Sequence, residues 1–411
     1  MSNPVYCFLA LCARADCGTE QLEQIARAAS HLDRWDELPT RAEAHGLAPL
    51  LYTHLRAAGV SLPRGVKREF QGIYVRYRHG NGVRMRVLQD VLAAFDAASI
   101  PVLVLKGSAL VPLVYAEPGL RPMADLDLLV SPADARHAQA ILGELGFDAP
   151  LPAGVIFSHR HLPMATRDVE GVPVGVELHH RLSSDYAYNA LSRLRGGLAS
   201  LPLFSAPALP AELDGLTGPP LSFSLGEREA RTLGYEDMLG HLCWHLISHV
   251  NVWEIGRLIW VADVVSFSER YAAQIDWQRV RRRHPAVLGT LSLLHTMTPL
   301  SQSLLDAARL RVGRTPSGIG ESYRGWPVAR GEDQRGRGVR EMLRATLLPS
   351  EWWLRLRYAM GSARPLFCHR WVRHPLHLFG HAVRVCLERV GWPAGVALTK
   401  DEVVRFPRPR R

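Results

Sequence analysis

The stretch "ADLDLLV", residues 124 to 130, constrains this chain more than any other. Its neighbours are apolar, as in a strand buried within a sheet, yet Asp125 and Asp127 stand one residue apart inside it. Side chains alternate along a strand, so both carboxylates face the same way. Like charges side by side repel, and burial sharpens the cost. A divalent cation reverses that sign, because repulsion becomes shared coordination by hard oxygen ligands. Surface strands also carry Asp-x-Asp pairs. Here the apolar flanks favour burial and a metal role.

The surrounding pattern is that of a small α+β unit. "IPVLVL" (100 to 105) is short and β-branched, as a buried strand should be. "SALVPLVY" reads as a short helix, with Ser108 near its start and Pro112 tolerated only in the first turn. After "DLDLLV", Ser131 and Pro132 begin a helix that runs to Gly146. Strand-like segments follow near "VIFSHRHLPMAT" and "VPVGVELHHRL". The order is therefore β-α-β-α-β-β, a mixed-sheet core flanked by helical regions.

The boundaries expected are a helical region at 1–95, the core at 96–185, and a helical domain at 225–310. A Gly/Arg-rich exposed linker at 311–340 and a basic, aromatic helical unit at 341–395 complete the chain. "HGNG" (79 to 82) is expected to interrupt a long amphipathic stretch. The helix after it buries Leu88, Val91, Leu92 and Phe95.

The net charge of +10 favours polyanionic partners such as nucleotides or RNA. Arginine-rich composition explains it equally well, since lysine occurs only at Lys67, Lys106 and Lys400. Six scattered cysteines show neither a disulfide framework nor zinc spacing. No apolar run reaches about 18 residues without a charge or breaker. The expectation is a cytoplasmic protein without a transmembrane segment.

A third acid, Glu177 in "VGVELHH", projects from a strand whose neighbours are apolar, and His179 shares its face. Three such acids on adjacent strands suit a two-metal site: one ion bridges a triphosphate and the other activates an acceptor hydroxyl. Gly107 and Ser108 lie where a strand gives way to a helix, a natural phosphate cradle although not a Walker loop. By itself Gly-Ser there is an ordinary turn. Lys106 is placed either to contact phosphate or to reach solvent, and Arg121 either to clamp a triphosphate or to neutralise the carboxylates.

Together, "VLKGSALVPLVYAEPGLRPMADLDLLV" and "VELHHRL" resemble the nucleotidyltransferase superfamily that includes DNA polymerase β. More narrowly they look like a family of bacterial nucleotidyltransferases defined largely by that motif. The resemblance covers roughly residues 96 to 182. It implies a metal-dependent enzyme that moves an NMP from an NTP to a hydroxyl or phosphate acceptor and releases pyrophosphate. It implies Mg²⁺ (or Mn²⁺) on Asp125, Asp127 and Glu177, with the β- and γ-phosphates held at Gly107 and Ser108. Two departures stand out: the sixteen residues between Ser108 and Asp125, and Glu in place of the commoner Asp as third acid. The acceptor class stays open between tRNA, protein and small molecule.

His241, His245 and His249 fall on one helical face without an HExxH arrangement, which suits a packed helix lining the nucleotide cleft. Arg257 and Asp263 read either as base or acceptor contacts or as a polar pair on a core helix. "WWLRLRY" and "HRWVRHPLHLFGH" suit RNA, a membrane surface or, preferably, simple packing. Two rival functions remain: a catalytically inactive nucleotide-binding regulator, and an RNA-binding module that uses the basic C-terminal region.

Overall fold

The alternation in "DLDLLV" and "VPVGVELH" builds the centre of the molecule. The computed structural model describes residues 4–151, 160–182, 216, 218–249, 257–319 and 339–389. Strands β1 (Val102–Val104), β2 (Asp125–Val130), β3 (Ala165–Val169) and β4 (Val172–His179) form one sheet, ordered β1-β2-β4-β3. β2 runs antiparallel to β1 and parallel to β4, and β3 is antiparallel to β4. Helices α6 (Lys106–Val114) and α7 (Ala135–Glu144) complete the β-α-β-α-β-β order. Leu126, Leu128, Leu129 and Val130 are fully buried, so β2 is covered on both faces. The segment 152–159, which includes part of the expected "VIFSHRHLPMAT" strand, lies outside the described residues.

Five helices precede the sheet: α1 (Pro4–Leu11), α2 (Thr19–Ala29), α3 (Leu38–Ala44), α4 (Ala48–Ala57) and α5 (Arg64–Ala97). α5 runs unbroken for 34 residues, so "HGNG" is not an interruption. The reason is tertiary. Asn81 is fully buried and donates to the carbonyls of Pro118 (2.6 Å) and Arg121 (2.8 Å), which fastens the loop before β2 to the helix. Gly119 of that loop lies so close that an added Cβ would stand 3.1 Å from the Arg78 Cα. The helix supplies the contacts that offset the weak helix propensity of glycine and asparagine.

α6 begins at Lys106, two residues before Ser108, so Pro112 falls in its second turn rather than its first. Proline lacks an N–H and cannot pair with the carbonyl four residues earlier, which is that of Ser108.

The chain does not turn helical at residue 225. β5 (Leu221–Leu225) and β6 (Arg228–Thr232) form a hairpin, with Leu225 opposite Arg228 and Gly226 at φ +62° in the two-residue turn. Thr232 Oγ donates to the Val104 carbonyl at 2.5 Å, tying the hairpin to β1. Helices α8 (Tyr235–His249), α9 (Leu258–Arg270), α10 (Trp277–Arg283), α11 (Pro285–Leu294) and α12 (Gln302–Ala308) follow, with α9 packed on α6.

Of the expected linker, 320–338 lies outside the described residues. The part before it is not exposed chain throughout: Gly313 N donates to Ser362 Oγ, Ser317 O accepts from Trp352 N, and Ile319 is buried. Helices α13 (Val339–Leu347), α14 (Glu351–Arg357) and α15 (His374–Arg389) close the chain. Trp352 and Trp353 of "WWLRLRY" are core residues, whereas Phe367, Trp371 and Phe379 are exposed. One hydrophobic cluster extends from Tyr6 in α1 to Leu356 in α14. Among the described residues, no helix is long and apolar enough to cross a membrane.

Asn81→Ala should leave two buried carbonyls without their donor and destabilise the fold by about 1–3 kcal/mol. Urea unfolding of the purified variant measures this, and a change below about 0.5 kcal/mol would mean that Asn81 does not anchor the loop.

Candidate active site

The parallel register sets Asp125 opposite Gly175 and Asp127 opposite Glu177, so the three acids share one face of the sheet. Two positions further on, Leu129 stands opposite His179. Asp127 is almost sealed from solvent. Its Oδ1 accepts from Lys106 Nζ at 2.6 Å and lies 2.8 Å from His179 Nε2. The same His179 nitrogen is 3.5 Å from Glu177 Oε2. Ligand atoms of Asp127, Glu177 and His179 all lie within 4.8 Å of one another, a spacing that suits a shared cation.

The electrostatics separate the acids. Burial would raise the Asp127 carboxyl, but Lys106 and His179 outweigh it and hold it far below the usual range. Burial also opposes ionisation of Glu177, yet the His179 hydrogen bond draws it down to about 2. Asp125 goes the other way. Burial first, and then the neighbouring Asp127 charge, push its carboxyl up to about 6. Lys106 and Arg121 offset only part of that rise. Two or three hard oxygen donors on one face fit Mg²⁺ or Mn²⁺, and the His179 nitrogen is compatible with Mn²⁺.

Lys106 does not reach solvent: it is 8% exposed and its ammonium is spent on Asp127. Its backbone sits at φ +47°, a left-handed conformation that L-residues with a Cβ adopt at a cost of about 1–2 kcal/mol. The conformation turns the chain from β1 into α6, and the buried ion pair fixes it. Gly107 and Ser108 then occupy the first turn, where backbone N–H groups have no intrahelical acceptor. The Ser108 hydroxyl is buried and has no hydrogen-bond partner among the described residues. A buried, unsatisfied hydroxyl at a helix start could donate to a ligand oxygen.

Arg121 lies behind this cradle. Its Nε and Nη2 donate to the two oxygens of Asp263 at 3.2 and 2.6 Å, and its Nη1 donates to the Pro122 carbonyl. The Tyr115 hydroxyl also donates to Asp263, at 2.7 Å. Burial disfavours the guanidinium charge, but Asp263 overcomes this and holds Arg121 above arginine's ordinary value. Gly107 is explained by the same group: an added Cβ would stand 2.4 Å from Arg121 Nη1. Glycine is needed here for the guanidinium beneath it, whatever lies above.

A family described as "Uncharacterised nucleotidyltransferase" matches residues 31–306, more than half of the chain. The chain belongs to that family. It is an enzyme of the nucleotidyltransferase class. A search of curated proteins finds no match. Among solved structures, the chain is similar to the antibiotic-resistance factor ANT(2'')-Ia at 14% identity, over 47% of this chain and 96% of that one, with a TM-score of 0.23.

One arginine near these acids carries no sequence signal. Arg84 of α5 is 9% exposed, donates to the Pro173 carbonyl at 3.1 Å, and is close enough to feel the Asp125 charge. Arg257 feels Asp125 as well, and donates to the Ala44 carbonyl. Asp263, by contrast, is the polar partner of Arg121 on a core helix. Only the fold brings two arginines 173 positions apart, Arg84 and Arg257, within electrostatic reach of Asp125.

Two outcomes follow. In a chelator, Asp125→Asn should stabilise the chain at pH 7.5 by about 1–3 kcal/mol, because ionising a carboxyl raised to about 6 costs the fold. The protonated form is native at low pH, so the gain should shrink as pH falls through 6 and vanish near 4. Denaturation across that range checks both size and sign. Asp263→Ala should cost about 3–5 kcal/mol by stranding a buried guanidinium; a loss below 1 kcal/mol would show Arg121 has found another partner.

Proposed function

We propose that this nucleotidyltransferase is metal dependent and moves an NMP from an NTP to a hydroxyl or phosphate acceptor, releasing pyrophosphate. The observation that carries the reading is the β2–β4 register, which sets Glu177 beside Asp127 and on the same face as Asp125. Those three carboxylates would hold Mg²⁺ or Mn²⁺. Bound there, the cation would neutralise triphosphate charge and acidify the acceptor oxygen.

The chain's own residues do the rest. The first turn of α6 and the Ser108 hydroxyl receive the outer phosphates, with Gly107 permitting close backbone approach. Lys106 keeps Asp127 ionised and oriented while adding positive charge beside the cradle. Arg84 and Arg257 add further positive field at the Asp125 end. In the transfer, the acceptor oxygen bonds to the α-phosphorus, the α–β bridging bond breaks, and its electron pair leaves with pyrophosphate. Little covalent work falls to the protein, so rate rests on alignment and charge stabilisation. A cytoplasmic setting, with NTP as donor and tRNA, protein or small molecule as acceptor, is consistent with this chemistry.

Incubation with α-labelled NTPs, Mg²⁺ or Mn²⁺, and cell-extract fractions as acceptor source tests the reading. Label transfer should fall by at least about 100-fold in an Asp125→Ala/Asp127→Ala variant. Transfer that survives the double substitution would remove this face from the mechanism.

A further inference from the structure

The phosphoryl chemistry leaves one neighbouring wall unused. His241 of α8 is 1% exposed, and neither of its ring nitrogens has a hydrogen-bond partner among the described residues. One turn on, the buried Nδ1 of His245 is likewise unpartnered. The His241 ring lies nearly parallel to the Trp244 indole, at 17° and 6.3 Å between centroids. The Arg160 guanidinium covers that indole, 5.3 Å from its centroid. Packed histidines ordinarily satisfy at least one nitrogen, so this helix face is not explained by packing alone.

The wall stands at the catalytic face. Burial, and then the Lys106 ammonium and the His179 ring, keep His241 well below the ordinary histidine value, and the Asp127 charge reaches it too. Burial likewise keeps His245 neutral, with His249 and Lys106 adding to the effect. Neutral imidazoles are poor phosphate anchors. Each offers one donor and one acceptor, which matches the polar edge of a nucleobase or a ribose hydroxyl. An indole with a guanidinium above it is a stacking surface for a flat heterocycle.

We propose that Arg160, Trp244, His241 and His245 form the subsite for the nucleoside half of the triphosphate. The base takes the indole face that Arg160 covers, the guanidinium then lies over the base, and the polar edge meets His241. The guanidinium already lies over that face of the indole, so Arg160 must move as the base enters. The inference rests on the nucleotidyl-transfer reading above and specifies where that reaction holds its donor.

Calorimetry on the full chain with Mg²⁺ separates the two ideas. Inorganic tripolyphosphate engages only the phosphate and metal groups, whereas ATP, GTP, CTP and UTP also present a nucleoside. The wild type should bind at least one NTP more tightly than tripolyphosphate. His241→Ala and Trp244→Leu should each reduce that advantage by about tenfold, leaving the tripolyphosphate affinity within about twofold. His241→Gln, which keeps a donor and an acceptor, should retain part of it. Arg160→Gln, at a half-exposed position, should lower the advantage without a change in fold. An unchanged ratio of NTP to tripolyphosphate affinity in Arg160→Gln and in the folded His241 or Trp244 variants would overturn the subsite alone. Failure of the wild type to bind either ligand would overturn the nucleotidyl-transfer reading and the subsite with it.

Discussion

A carboxylate taken almost wholly out of water organises this molecule. Asp127 accepts from Lys106 and meets His179, and without them its charge could not persist at that depth. Each partner comes from a different element: the residue that opens α6, the last residue of β4, and β2 itself. One buried charge therefore pins the strand-to-helix turn, the parallel register and the acidic face together. The left-handed backbone of Lys106 is held by that same contact.

A second buried pair reaches further. Arg121 and Asp263 are 142 positions apart, and their bidentate contact joins the loop before β2 to a helix beyond the hairpin. Tyr115 joins them, and Gly107 leaves room for them. The underside of the first turn of α6 is thus built by the helical region. A mutation in α9, remote in sequence from the acids, should be felt at the catalytic face. The fold couples stability to site geometry through charges that water cannot reach.

What could be read in the chain was local. Alternation in "DLDLLV" gives a strand with two acids on one face, and "VELHH" gives a third strand-borne acid, because period-two patterning needs only neighbours. Gly-Ser at a strand end marks the start of α6 within two residues. The same local logic misread "HGNG" as a break, since Asn81 hydrogen-bonds to a loop nearly forty positions away. It also passed over the hairpin at 221–232, where "SFSLGEREA" alternates but is partly charged. Arg84 looked like any surface arginine on an amphipathic helix, and nothing nearby in sequence shows that it is buried against the Pro173 carbonyl.

The amino-acid sequence by itself determined the order of elements around the sheet, the facing of Asp125 and Asp127, and the change from strand to helix near Gly107. Those depend on backbone sterics and side-chain period, which operate over a few residues. Tertiary structure decided which strand lies beside β2, that Glu177 faces Asp127, that Lys106 turns inward, and that Arg121 belongs to Asp263. The first two follow from backbone pairing between strands and the last two from matching one buried charge to its opposite, and a chain reveals its residues in order but not the distances at which folding sets them.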